Sequence, residues 1–179
     1  KFLRNFESSK YAENCIIVAP CCPEGSKWVD VSAWNVITFS IDSIPASSHM
    51  VAVTELFGDV RATISCDETR LYTYGMSMGG FTVWDLLARN PCMFAAAIPV
   101  AGCGDPSKAL SMTGTAIWVF HGDADASVPY QSAEKMVDAL AAAGRTDVKF
   151  TTFKGKGHGI WTLTADTAGL LDWLFSQHR

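Results

Sequence analysis

Apolar residues form five short and nearly continuous runs along the chain. Runs of this kind, which do not alternate strictly with polar residues, are typical of parallel strands that helices cover on both faces. They predict strands at residues 15–20, 71–76, 95–102, 117–120 and 148–153, of which the last is the most exposed.

Between these runs, apolar residues recur at helical spacing. They predict helices at residues 47–60, 81–89, 133–143 and 169–177. Strands that alternate with helices indicate a layered α/β fold with right-handed crossovers. Because no repeat, low-complexity segment or linker divides the sequence, we expect residues 1–179 to form a single domain.

Composition and charge exclude several classes of partner. The chain has 49% hydrophobic residues and a net charge of −4, with no run of Lys or Arg that could bind nucleic acid or an anionic membrane. No apolar stretch is long enough to cross a bilayer, and the first residues do not resemble a signal peptide.

The chain contains six cysteines, which is a high count for a cytosolic domain of this length. The absence of a Cys-x-x-Cys pair argues against a structural zinc site. An even number of cysteines permits disulfides, and we therefore place a secreted protein ahead of a cytosolic one.

A serine lies between glycines where the second predicted strand turns into a helix, in the stretch Gly75-Met76-Ser77-Met78-Gly79. The glycines permit a sharp turn that would expose the Ser77 hydroxyl as a nucleophile. The alternative is a serine that only caps the following helix. The position between a strand and a helix favours the nucleophile.

A nucleophilic serine needs a base, and the chain offers four histidines. His49 and His178 lie where solvent-exposed positions are expected, and His121 can be explained as a turn residue before Gly122. His158 lies in a glycine-rich loop after the last predicted strand, where packing does not require a histidine. We therefore expect His158 to be the base.

The base in turn needs a carboxylate that fixes its tautomer. Asp123 and Asp125 both follow the fourth predicted strand, and either could instead cap a turn. The chain order of serine, acid and histidine is the order found in α/β-hydrolases.

The stretches CDETRLYTYGMSMGGFTVWDLLARNPCMFAAAIPVAG, IWVFHGDADASVP and GKGHGIW together resemble the α/β-hydrolase superfamily. They are most similar to its esterases of the predicted-peptidase and phospholipase/carboxylesterase type, near the feruloyl and acetylxylan esterases. The resemblance implies Ser77 as the nucleophile, Asp125 as the acid and His158 as the base. It also implies that the backbone amide of Met78 donates to the oxyanion, with no cofactor or metal.

The resemblance further implies a three-layer α/β-hydrolase fold with a mostly parallel sheet. The predicted strand at residues 15–20 matches the fourth strand of that fold, so the chain would contain the fourth to eighth strands. The loop that supplies the second oxyanion donor normally precedes them. We therefore expect a hydrolase domain that is incomplete at its N-terminus.

The function that the resemblance implies is hydrolysis of an acyl ester through an acyl-enzyme, with plant polysaccharide esters among the substrates. Trp28 and Trp161 follow strands and could line the substrate pocket, although ordinary packing explains a tryptophan equally well. Two alternatives remain: a peptidase or thioesterase with the same triad, and a catalytically silent hydrolase fragment used for binding.

Overall fold

A computed structural model describes all residues from Lys1 to Arg179, and its centre is a parallel sheet of four strands. The strands lie side by side in chain order. They are β1 (Tyr72–Met76), β2 (Ala96–Val100), β3 (Ala116–Gly122) and β4 (Lys149–Phe153). The prediction of an α/β fold with a parallel sheet is confirmed.

Six α-helices surround the sheet. They are α1 (Phe2–Glu7), α2 (Ser48–Thr63), α3 (Met78–Arg89), α4 (Tyr130–Ala142), α5 (Trp161–Ala165) and α6 (Leu170–Ser176). Short 3₁₀ helices add Ala12–Asn14, Ile41–Ser43 and Pro106–Met112. The four predicted helices correspond to α2, α3, α4 and α6. The helices α1 and α5 are too short to show a repeating apolar pattern, and the sequence analysis missed them.

None of the helices is both long and apolar enough to cross a bilayer.

Helices pack on both faces of the sheet, and alternate residues of each strand point to opposite faces. The central strand β2 is fully buried, whereas the edge strands β1 and β4 are half-buried. One face packs against α3 and α4 in a cluster that contains Trp84, Ile117 and Leu140. The other face packs against α6 in a cluster that contains Ile98 and Leu174. The result is the three-layer arrangement that the family resemblance implies.

The predicted strand at residues 15–20 is wrong. This segment is irregular and makes no backbone hydrogen bond to the sheet, in which β1 is an edge strand. Ile16 and Ile17 are 50% and 47% exposed. An apolar run becomes a strand only where a neighbouring backbone pairs with it, and no strand lies beside this one.

The six cysteines are all free thiols, so the structure contains no disulfide. Only Cys103 is buried, where it packs with Phe81 and Val128 in a small apolar cluster beside the carboxyl end of the sheet. The stability of the fold therefore rests on burial and on hydrogen bonds.

Two adjacent glycines of α3 test how closely this helix packs on β2. A Cβ at Gly80 would lie 2.6 Å from the carbonyl oxygen of Val100, whereas a Cβ at Gly79 would meet nothing within 4 Å. We expect Gly80→Ala to lower the free energy of unfolding by about 1–3 kcal/mol through overpacking. Gly79→Ala is the control, and should raise it by up to about 1 kcal/mol through helix propensity. Urea unfolding measures both, and equal values would contradict this packing.

Candidate active site

Ser77 lies at a sharp turn between β1 and α3. Its backbone has φ 54° and ψ −118°, a conformation that a residue with a side chain rarely adopts. The turn brings the backbone so close to itself that a Cβ at Gly75 would collide with the carbonyl group of Gly79. The amide of Ser77 donates to the carbonyl of Val100 at 2.9 Å, which fixes the turn to the end of β2.

The side chain of Ser77 does not cap α3, although the residue occupies the N-cap position. Its Oγ lies 2.7 Å from Nε2 of His158 instead. The capping alternative is therefore wrong, because the hydroxyl is directed away from the helix amides and toward an imidazole.

Asp125 completes a chain of hydrogen bonds with Ser77 and His158. Its Oδ2 accepts a hydrogen bond from Nδ1 of His158 at 2.7 Å. Because an ionised carboxylate can only accept, the proton must lie on Nδ1, which leaves Nε2 free to accept from the Ser77 hydroxyl. The Asp125 side chain is fully buried, whereas that of His158 is 24% exposed. The geometry is that of a serine, histidine and aspartate in hydrogen-bonded series.

The loop that follows β3 holds the His158 loop by one side-chain and one backbone hydrogen bond. Oδ1 of Asp123 accepts from the amide of Gly155 at 2.6 Å, and the amide of Ala124 donates to the carbonyl of Lys156 at 3.0 Å. Asp123 thus supports the loop, and Asp125 contacts the imidazole. Sequence patterns alone did not distinguish the two aspartates. The aspartate that contacts His158 is Asp125, the one that the family resemblance implies.

His121 is a part of the site that sequence analysis missed. It lies at the end of β3, is completely buried, and has its Nε2 3.3 Å from Oδ2 of Asp125. Burial lowers its pKa, which favours the neutral ring. The sequence suggested only a turn residue, because the contact forms when residues 122–125 fold back over the strand end. The apolar run that leads directly into His121 was the available signal that the ring is buried.

Of the other predicted site residues, Met78 and Trp161 lie beside Ser77 and His158, whereas Trp28 does not contact the Ser77–His158–Asp125 series. Met78 is the first residue of α3, where an amide has no partner within the helix and can bind an anion. The ring of Trp161 packs edge-on against that of His158, with centroids 5.1 Å apart. Trp28 packs edge-on against His49, and its carbonyl accepts a hydrogen bond from Ser47. The structure shows no contact between Trp28 and the series, so its role in substrate binding stays a prediction.

No group of three or more His, Cys, Asp or Glu side chains is placed to hold a metal ion. Two surface clefts of about 260 and 320 Å³ lie away from Ser77. The first lies between α2 and the end of α3, and the second at the start of α2 near His49. The hydrogen-bonded series therefore lies outside both clefts.

These features define a protein of the α/β-hydrolase fold, and comparisons with known proteins give its family. The model of the prolyl oligopeptidase family matches residues 48–118 and 106–177. The chain belongs to this family. A search of the curated proteins gives no match.

Solved structures of related fold include esterases and peptidases. A thermostable esterase is 31% identical with a TM-score of 0.77, over 88% of this chain and 43% of that one. SOBER1 from Arabidopsis thaliana is 19% identical with a TM-score of 0.70, over 98% of this chain and 87% of that one. An acylaminoacyl peptidase from Pyrococcus horikoshii is 16% identical with a TM-score of 0.55, over 63% of this chain and 24% of that one. This chain thus spans less than half the length of the thermostable esterase.

The backbone strain at Ser77 can be measured with two variants that both remove the hydroxyl. Ser77→Gly and Ser77→Ala lose the same hydrogen bond to His158, but only glycine adopts this backbone conformation without steric cost. We expect the glycine variant to be more stable by about 1 kcal/mol, because the strain exceeds the entropy that glycine adds to the unfolded chain. Urea unfolding compares the two variants. An alanine variant of equal or greater stability would contradict a strained turn.

Proposed function

We propose that this chain is a serine carboxylesterase with Ser77, His158 and Asp125 as its catalytic triad. The observation that carries the proposal is the pair of 2.7 Å contacts that joins the three side chains at the carboxyl ends of their strands. Membership of a hydrolase family and the similarity to a thermostable esterase support it.

The mechanism follows from the proton positions. His158 Nε2 takes the Ser77 proton as the hydroxyl oxygen attacks the acyl carbonyl, and Asp125 stabilises the imidazolium that forms. The imidazolium then gives its proton to the leaving alcohol, and the acyl group stays on Ser77. Water that His158 activates attacks the acyl-enzyme, releases the acid and restores the serine. The His158 side chain is 24% exposed, so water can reach the ring.

The Met78 amide is the proposed donor to the oxyanion. It follows the nucleophile directly and lies at the N-terminus of a helix of 12 residues, where backbone N–H groups and the helix dipole favour negative charge.

The proposed substrates are esters of small acyl groups, and polysaccharide esters are candidates within that class. The resemblance to feruloyl and acetylxylan esterases suggests the carbohydrate. The aromatic face of Trp161, which is half-buried beside His158, could pack against either a sugar or an aromatic acyl group.

A peptidase is the second candidate, because the matching family is the prolyl oligopeptidase family and a similar structure is an acylaminoacyl peptidase. The same triad would serve both reactions, since only the leaving group differs. Turnover of matched substrates, an aryl ester and an anilide of the same acyl group, separates them. The esterase proposal predicts turnover of the ester alone.

Replacing the nucleophile gives the first functional prediction. We expect Ser77→Ala to lower kcat for an aryl acetate by about 10⁶-fold, because the acyl-enzyme can no longer form. A fluorophosphonate should label the wild type at Ser77 and leave the variant unlabelled, as peptide mass spectrometry would show. A folded alanine variant that retains activity, or a label on another serine, would refute the assignment.

The two aspartates give a matched pair. Asp125→Asn should lower kcat by about 10⁴-fold, because an amide at this position favours the wrong imidazole tautomer. Asp123→Asn keeps an oxygen that can accept from the Gly155 amide, and should retain most of the activity. Circular dichroism verifies the fold of both variants. A larger loss in Asp123→Asn would reverse the two roles.

A further inference from the structure

We infer that His121 is a positioning residue, whose Nε2 proton holds the Asp125 carboxylate in the orientation that His158 requires. The inference rests on the triad proposed above. It concerns a side chain that does not touch the substrate and acts through Asp125 alone.

The surroundings of the His121 ring determine which nitrogen carries the proton. Nε2 lies 3.0 Å from the carbonyl oxygen of Val128 and 3.3 Å from Oδ2 of Asp125, and both of these atoms can only accept. Nδ1 is buried without any partner. A proton on Nδ1 would leave a buried donor without an acceptor, which is unfavourable. The ring is therefore the neutral tautomer with its proton on Nε2.

The Nε2 atom of His121 lies beside the set of donors around Asp125, and its one proton can be shared between the Val128 carbonyl and Oδ2 of Asp125. Oδ1 accepts from the amides of Ser127 and Val128 at 2.8 and 2.9 Å. Oδ2 accepts from His158 at 2.7 Å and has the His121 nitrogen beside it. A carboxylate offers about four acceptor positions. Three of them accept from the two amides and from His158, and Nε2 of His121 lies beside the fourth. The carboxylate cannot rotate without breaking contacts on both oxygens.

His121 also fixes the turn that carries Asp125. Its bond to the Val128 carbonyl ties the end of that turn to the end of β3. The remaining groups that face the ring are the Tyr130 ring, edge-on at 5.9 Å, and the imidazole of His158 across Asp125. Neither of these two rings carries a carboxylate, so Asp125 is the carboxylate that His121 positions.

Two amide variants separate positioning from simple packing. The amide nitrogen of His121→Gln can reach the position of Nε2. The shorter side chain of His121→Asn ends near the position of Nδ1, where there is no hydrogen-bond partner. We expect the asparagine variant to lose on the order of 10² in kcat with little change in KM, as for a small misplacement of a catalytic group. The glutamine variant should retain most of the wild-type kcat.

A spectroscopic measurement tests the same inference without turnover. The Nδ1 proton of His158, which is hydrogen-bonded to Asp125, should give a downfield proton resonance in the wild type and in His121→Gln. This resonance should be absent in His121→Asn. Ring nitrogen shifts of the wild type should show His121 protonated on Nε2 between about pH 5 and 8, where a free histidine titrates. This last result needs no variant, so it stands even if a variant does not fold.

The outcomes distinguish this inference from the proposed function. A wild type that hydrolyses no ester refutes the function, and the resonances still decide the role of His121. An active wild type whose folded His121→Asn variant keeps its kcat and the downfield resonance refutes the positioning role. A His121 ring protonated on Nδ1 in the wild type also refutes it.

Discussion

The buried carboxylate of Asp125 imposes the constraint on which the candidate site depends. A carboxylate without contact to water must be surrounded by donors, because an unpaired buried charge costs far more than a fold of this size can supply. Asp125 accepts from the turn that follows it and from His158 in the loop after β4, and Nε2 of His121 at the end of β3 lies 3.3 Å from it. The same contacts that make its burial possible bring the imidazole to a defined position.

The parallel sheet makes these contacts possible. Met76 is in register with Val100, Val100 with Phe120, and Phe120 with Thr151, so the carboxyl ends of all four strands lie along one edge. The loops that carry Ser77, Asp125 and His158 leave from that edge. Residues that are 81 positions apart, such as Ser77 and His158, come within hydrogen-bond distance because their strands end side by side.

Much of this arrangement could be predicted from the sequence, because it depends on local patterns. Four of the five apolar runs form β1 to β4. The glycines around Ser77 predicted a sharp turn, and the backbone angles of Ser77 agree with it. The run at residues 15–20 is as apolar as the other four runs, but no neighbouring strand pairs with it. Whether a strand pairs depends on its neighbours, which the residues of the run do not reveal. The role of His121 was missed for a related reason. Its contact with Asp125 depends on how the intervening turn folds, which residue types alone do not determine.

Acyl transfer through Ser77 is tested most directly by mass spectrometry of an acid-quenched reaction. An aryl acetate mixed with stoichiometric enzyme and quenched before deacylation should leave one acetyl group on the protein, in the peptide that contains Ser77. That adduct should decay as free acetate appears. Steady turnover with no acetylated protein at any quench time, or acetylation of a different residue, would contradict the account.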